Sequence, residues 1–173
     1  MTLASADVIA IESFRAETQN CCVTLDDIDR HLLTLLQRDS TQTLHDLGER
    51  VGLSPSAVQR RITRYRKEGL IARQVEVLDQ ERVGGMLALV LVTIDRESVE
   101  HHAEIRDRMT ADPNVQQCYA TAGEWDYAVI LACDSMAHCR DLVRGMFLED
   151  PNVKRFDTMP VFDLVKVSLE LPL

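Results

Sequence analysis

The chain has 173 residues, a formal net charge of −9 at pH 7, 46% hydrophobic and 27% charged side chains. That is globular composition, enough for one large domain or two small ones, and it excludes collagen-like, low-complexity and wholly disordered chains. No apolar run approaches the roughly 18 residues that span a bilayer, and the first 25 residues lack a basic n-region and a continuous apolar h-region, so no signal peptide, no membrane partner and a cytoplasmic location are expected.

The total charge hides an asymmetry. Residues 1–24 carry a net −2, residues 25–75 a net +2 (nine bases, seven acids) and residues 76–173 a net −9 (nine bases, eighteen acids). Arg60, Arg61, Arg64, Arg66 and Lys67 fall within eight consecutive residues that contain no acid. A compact basic stripe on an acidic protein makes a local field that a polyanion senses more than the total charge.

Residues 1–24 show weak periodicity and are expected to form an extension, mobile unless it docks on a partner subunit. From Leu25 the pattern sharpens. Asp26 and Asp27 suit a helix N-terminus, and Ile28, Leu32, Leu35 and Leu36 recur on one helical face. Thr43 can cap a second helix with Leu44, Leu47 and Val51 inward and Gly52 as its stop. Ser54 then caps a third helix whose first position suits Pro55, because proline lacks an N–H that would be unpaired there anyway. Val58, Ile62 and Tyr65 form its inner face, and it ends at Gly69.

Residues 25–71 therefore read as three helices, with a short Gly-containing connection between the second and third. That is helix-turn-helix spacing. Ser56, Gln59, Arg60, Arg61, Thr63 and Arg64 lie off the inner face of the third helix. Gln and Arg pair bidentately with adenine and guanine edges, and Ser and Thr hydrogen-bond phosphate. The expected partner is double-stranded DNA, with Gln59 at a base edge and the arginines at phosphates or bases. The same residues also suit a solvated basic face on a small bundle.

The second half repeats itself. Asp112-Pro113-Asn114-Val115 recurs as Asp150-Pro151-Asn152-Val153, an offset of 38 residues. Each copy reads strand, helix, Asp-Pro-Asn turn, strand, with the proline ending the helix. Strands are expected near Met86–Ile94, Val115–Thr121, Tyr127–Cys133 and Val153–Met159, and helices near Ser98–Met109 (Val99, Ala103 and Met109 apolar) and Ser135–Leu148. Two such units give a ferredoxin-like βαββαβ sandwich. Val165–Leu171 is expected to add a fifth strand, and Ala72–Leu78 a strand within the connection 72–85. Met86–Val92 and Tyr127–Cys133 are continuously apolar, which predicts burial on both faces. Two helices cover one face, so the other is expected to pack on a second copy, giving a homodimer that presents two reading helices.

These residues resemble the Lrp/AsnC, or feast/famine, family of transcriptional regulators. The resemblance rests on Leu25-Asp26-x-x-Asp29-Arg30-x-Leu32-Leu33, on Leu47-x-x-x-Val51-Gly52-Leu53-Ser54-Pro55-Ser56-Ala57-Val58, on Arg60-Arg61-Ile62-x-Arg64 and on Gly69-Leu70-Ile71. In the second half it rests on Gly123-Glu124-Trp125-Asp126-Tyr127, similar to the family's Gly-x-x-Asp-Tyr loop, and on Val165-Lys166. The match runs over 147 residues, from Leu25 to Leu171.

The resemblance implies an α+β chain: a winged-helix-like helix-turn-helix domain over 25–71 joined by 72–85 to a ferredoxin-like RAM domain over 86–173. It implies dimers through the RAM sheet, octamers of four dimers, and amino-acid effectors near the Gly-x-x-Asp-Tyr loop. Gly123 lets backbone N–H groups approach an α-carboxylate, Asp126 can offset an α-ammonium, and Tyr119, Thr121, Glu124 and Tyr127 adjoin. Trp125 can fill effector space. Thr158 and Asp163 complete the expected effector set, with Pro160 forcing a bulge or an edge in the strand that carries Thr158. The loop equally suits a β-turn with a capping Asp.

Two other readings are weighed. Some tetrapyrrole decarboxylases, of siroheme type, look like this family, but His31, His45, His101, His102 and His138 are scattered. His101 and His102 point about 100° apart on a helix, a poor metal pair. A redox-sensing regulator would use Cys21-Cys22 or Cys118, Cys133 and Cys139; the last three are expected as buried, inert thiols. No Walker A, H-E-x-x-H, G-x-S-x-G or G-x-G-x-x-G motif occurs. No enzyme, catalytic residue, metal or cofactor is expected beyond the amino-acid effector.

Overall fold

The computed structural model describes residues 23–96 and 98–173. The expected extension lies outside these residues but for Val23 and Thr24, and so does the Cys21-Cys22 pair. The described chain divides into two compact units. One comprises the residues up to Val77 together with Lys166–Leu173, the other Leu78–Val165.

The first unit contains α1 (Asp27–Arg38), α2 (Leu44–Val51) and α3 (Pro55–Lys67). Their ends are closed by the residues the sequence offers. Asp26 accepts the Asp29 N–H at 2.6 Å while the Asp29 carboxylate accepts the Asp26 N–H at 3.2 Å, a reciprocal capping box. Thr43 Oγ1 accepts the Asp46 N–H at 3.2 Å, and Gly52 ends α2 with a left-handed φ of 69°. Ser54 Oγ accepts the Ala57 N–H at 3.3 Å, with Pro55 in the first turn of α3. We predict that Ser54→Ala lowers stability by about 1 kcal/mol in chemical denaturation of the full chain; an unchanged midpoint would remove the cap from the account.

The core of this unit is Leu32, Leu33, Leu47, Val58, Ile62 and Tyr65. On α1 Leu32 is buried and Leu35 and Leu36 pack against this core as expected; the departure is that Ile28 is only half-buried while Leu33 and the charged Asp29 are buried. The reason is tertiary: Tyr65 and Arg61 of α3 reach Asp29 and satisfy it there.

The second unit holds a short α4 (Gln80–Val83), then β1 (Met86–Ile94), α5 (Val99–Ala111), β2 (Val115–Ala120), β3 (Tyr127–Cys133), α6 (Met136–Val143) continuing as a π-turn through Arg144–Leu148, and β4 (Val153–Pro160). This is βαββαβ, with antiparallel strands in the order β2-β3-β1-β4. The internal repeat shows in the turns. Asp112 and Asp150 each accept the N–H of the asparagine two residues on, both at 2.8 Å. Each turn then ties to the other repeat: the Asn114 carbonyl accepts from Ala132 N–H and the Asn152 carbonyl from Asp95 N–H, again both at 2.8 Å.

Ala88, Val90, Val92 and Ile94 of β1 and Tyr127, Val129, Leu131 and Cys133 of β3 are buried with Ile105, Met109, Cys139, Val143, Met146 and Phe147. Within the single chain burial alternates along β3 and, from Ala88 onward, along β1: Leu89, Leu91, Ala128 and Ile130 are half-exposed. Within one chain the helices cover one face only, so the apolar residues of the other face stay open. Val99 is a further correction. As the first residue of α5 it is exposed, and Ile105 takes the inner position with Met109. Cys118 is exposed because β2 is an edge strand, whereas Cys133 and Cys139 are buried; burial, with Cys139 beside it, pushes the Cys133 thiol up to about 12. Pro160 closes β4, an edge strand as expected, and the bulge lies instead at Thr93/Ile94.

Neither of the two additional strands forms. Residues 72–78 and 165–171 carry no ladder. A strand needs a paired backbone beside it, and neither segment meets one. Instead Gln37 of α1 holds Leu171 by both backbone groups, donating to its carbonyl (3.2 Å) and accepting its N–H (2.7 Å), and Arg38 pairs with Glu170 at 2.8 Å. The last eight residues thus belong to the helical unit, not to the sheet.

Candidate functional site

α3 presents two different faces. At about 100° per residue, Ser56, Arg60, Thr63 and Lys67 form one outward stripe, flanked by Gln59 and Arg66, and all six are exposed. Gln59 Nε2 donates to Thr63 Oγ1 at 3.2 Å, and the Ser54 and Ser56 hydroxyls lie 3.1 Å apart. Among the described residues Arg60 and Lys67 form no ion pair. Their charges therefore face solvent beside two hydrogen-bonding side chains, the combination that meets a phosphate backbone and a base edge together. Lys67 escaped the candidate set although its spacing, eleven residues after Ser56, was visible in the sequence.

Arg61 and Arg64 are placed differently. Both turn toward α1. Arg61 ion-pairs with Asp29 and with Asp26 at 2.9 Å, and an Arg64 nitrogen lies 2.7 Å from the same Asp29 oxygen. That oxygen also accepts the Tyr65 hydroxyl at 2.5 Å. Asp29 is 1% exposed. Burial pushes its pKa up, but the hydrogen bonds from Tyr65 and Arg61 and the adjacent Arg64 charge outweigh it and hold the carboxyl well below the usual range. Burial and the Asp29 hydrogen bond push the Tyr65 phenol upward. The basic run thus separates into solvent-facing cations and two cations serving an internal carboxylate.

The loop 121–126 joins β2 to β3. Gly123 takes φ 137°, with open space where a Cβ would stand. Thr121 Oγ1 donates to the Trp125 carbonyl at 2.5 Å, and Thr93 Oγ1 to that of Glu124 at 3.3 Å. Asp126 Oδ2 accepts the Ile94 N–H at 2.8 Å, so the Asp of the motif fastens its loop to the end of β1. The Arg155 guanidinium stacks 4.0 Å from the centre of the Trp125 ring and pairs with Glu124 (3.3 Å) and Asp157 (3.5 Å).

The strand register divides the expected effector set. Tyr119, Ala128, Leu91 and Asp157 stand in one cross-strand row, with Arg155 opposite Thr93 in the next row on the same open face. Tyr127 belongs to the other face: it is buried against α5, where its hydroxyl meets His102 Nδ1, and burial pushes its phenol up to about 12. Thr158, opposite Val90, also lies on that other side. Asp163 is exposed beyond β4. Tyr119, Glu124 and Trp125 are joined on the open side by Arg155 and Asp157, which sequence reasoning missed because only cross-strand register brings them to the loop. His101 Nδ1 sits 2.8 Å from Ser98 Oγ, and no cluster of three metal-ligating side chains occurs among the described residues. Among them, too, no helix is long and apolar enough to cross a membrane.

Residues 25–66 match the AsnC-type helix-turn-helix domain and residues 87–171 the Lrp/AsnC ligand binding domain. The chain belongs to the Lrp/AsnC family. It is therefore a DNA-binding transcriptional regulator of α+β architecture, and not an enzyme of the decarboxylase type. It is 32% identical over 152 residues to the glutamate uptake regulatory protein of Zymomonas mobilis, covering 86% of this chain and 91% of that one. An HTH-type transcriptional regulator of Sinorhizobium fredii is 30% identical over 90% of this chain and 92% of its own. Among solved structures, a Neisseria meningitidis transcriptional regulator in complex with L-Met aligns with TM-score 0.79 and 29% identity, over 86% of this chain and 97% of that one. An Agrobacterium tumefaciens regulator of the AsnC family also aligns with TM-score 0.79, at 27% identity and the same coverage.

Proposed function

We propose that this Lrp/AsnC regulator, acting in the cytoplasm, reads its operator with the outward stripe of α3. Arg60, Lys67 and Gln59 make the principal contacts, and Ser56 and Thr63 add phosphate hydrogen bonds. The observation that carries this reading is the solvent exposure of Arg60 and Lys67 on a capped, well-anchored helix that follows a tight turn. Arg61 and Arg64 instead pair with Asp29 of α1. Arg60→Ala is expected to weaken operator binding by about 1–3 kcal/mol, the worth of a guanine-reading arginine. Equal affinities for the two proteins in a low-salt titration would reject the stripe.

The same reading extends to assembly and effector. Two chains pair through the open sheet face around Leu89, Leu91, Ala128 and Ile130, since half-buried apolar side chains on a continuous sheet favour a matching copy; dimers then gather into octamers. The effector is an amino acid bound beside the loop 121–126, an idea supported by the L-Met complex of the Neisseria relative and by the bare backbone at Gly123. Asp126 is committed to the Ile94 amide, so Glu124 and Asp157 are the carboxylates for an ammonium group and Arg155 the cation for a carboxylate. The mass in solution, measured with and without each of the twenty amino acids, is expected to show a dimer or larger assembly whose size responds to at least one. A monomer rejects the pairing. A mass and an operator affinity indifferent to all twenty reject the effector.

A further inference from the structure

Five cations crowd eight residues of the reading helix. Cations that reach phosphate raise affinity for every duplex alike, because counterion release carries no sequence information. In this chain a buried acid removes two of the five from that role. Arg61 is held between Asp29 and Asp26, and Arg64 sits on Asp29. Arg61 lies about 100° around the helix from Arg60, and Arg64, about 40° from Arg60, is drawn to Asp29. Neither can shed its charge, since a guanidinium stays protonated. Were both to swing to phosphates, they would strand a carboxylate that is 1% exposed, and an uncompensated buried charge is strongly unfavourable.

We propose that Asp29 is a specificity-determining residue: an internal counter-ion that withholds Arg61 and Arg64 from the DNA backbone and so lowers affinity for non-operator sequence. Asp29 touches no DNA. It acts through the arginines, leaving Arg60, Arg66 and Lys67 as the helix's cationic load beside the base-reading Gln59. The inference rests on the outward stripe proposed above as the interface.

The test uses the full-length protein and a mixed-sequence duplex, titrated by fluorescence anisotropy over a range of NaCl. The slope of log K against log salt counts phosphate contacts at about 0.9 per contact. Asp29→Asn keeps the shape and an acceptor for Tyr65 but removes the charge. It is expected to steepen the slope by up to about two contacts per subunit and to raise affinity for the mixed duplex several-fold. A purely structural role for Asp29 predicts the reverse, weaker binding with no added slope. Arg64→Gln, at a side chain 40% exposed, decides the matter even if Asp29→Asn fails to fold. It should leave the slope at the wild-type value, while Arg60→Gln should flatten it by about one contact. A folded Asp29→Asn protein with an unchanged slope overturns the proposal, as does an Arg64→Gln slope flattened as much as that of Arg60→Gln. If Arg60→Gln leaves the slope unchanged, the interface reading itself fails and the inference falls with it.

Discussion

Asp29→Ala is expected to destabilise the helical unit by roughly 3–5 kcal/mol, the usual consequence of removing one partner from a buried ionic network. Three groups lose a partner together: the Tyr65 hydroxyl, buried at 0% exposure, loses its acceptor, and the guanidinium groups of Arg61 and Arg64 lose an opposite charge. Arg61 keeps Asp26, and both arginines reach solvent in part, so the tyrosine carries the sharpest penalty, as a buried donor with nowhere to turn. Hydrogen exchange of the α1 and α3 amides reads the loss locally, without involving the sheet unit. The effect depends on acid in a stated direction. The folded carboxyl lies below its ordinary value of 3.8, so the folded state binds this proton less readily than the unfolded one. Its contribution is complete above the ordinary value and is lost as the pH falls beneath it toward the folded pKa. The stability gap between wild type and Asp29→Ala should therefore be constant near neutrality and narrow progressively below about pH 4. A gap that persists undiminished in acid would mean that the lost contribution is packing and not charge.

Gly48→Ala is the second large effect, and it is steric. Gly48 lies within α2, buried, and a Cβ there would stand 2.5 Å from the Leu53 carbonyl oxygen, with the Leu53 carbon at 3.6 Å and the Pro55 nitrogen at 3.7 Å. The same turn is tied back to α2 by the Leu53 N–H, which donates to the Gly48 carbonyl at 2.9 Å. All the opposing atoms are backbone, so no side chain can step aside; the turn itself must move, and α3 with it. Overpacking of this kind costs about 1–3 kcal/mol. Operator affinity should fall further than stability alone explains, because the entry angle of the reading helix is set at this turn. Gly145→Ala is the control: its Cβ would meet nothing within 4 Å, and it should change neither stability nor DNA binding. Chemical denaturation and an operator-binding titration on the two variants measure both quantities. Equal behaviour of the two would show that the turn yields easily.

Local chemistry made much of the fold legible. Thr43, Gly52, Ser54 and Pro55 act at the helix ends where their short-range hydrogen-bonding and backbone preferences put them, because capping is decided within three or four residues of chain. The Asp-Pro-Asn pair marked a duplicated strand-helix-strand unit. The stripe Ser56, Arg60, Thr63 was readable from helical spacing alone. The two absent strands show the limit of such reasoning. Residues 72–78 and 165–171 have strand composition, yet a ladder forms only where a second backbone lies alongside, and composition does not say whether one does.

The division runs along the range of the forces involved. Helix ends, turns, the repeat, the family and the outward face of α3 were determined by the sequence itself, since each depends on neighbours a few residues apart or on a pattern repeated along the chain. Which arginines have an acid partner on α1 came with folding: Arg60, Arg61 and Arg64 are alike in sequence, and only Asp29, more than thirty residues earlier, draws two of them toward α1. Likewise Tyr127 and Thr158 were separated from Tyr119, and Arg155 and Asp157 brought to it, by cross-strand register. A one-residue step there reverses the face a side chain occupies, and only strands paired in three dimensions fix that step.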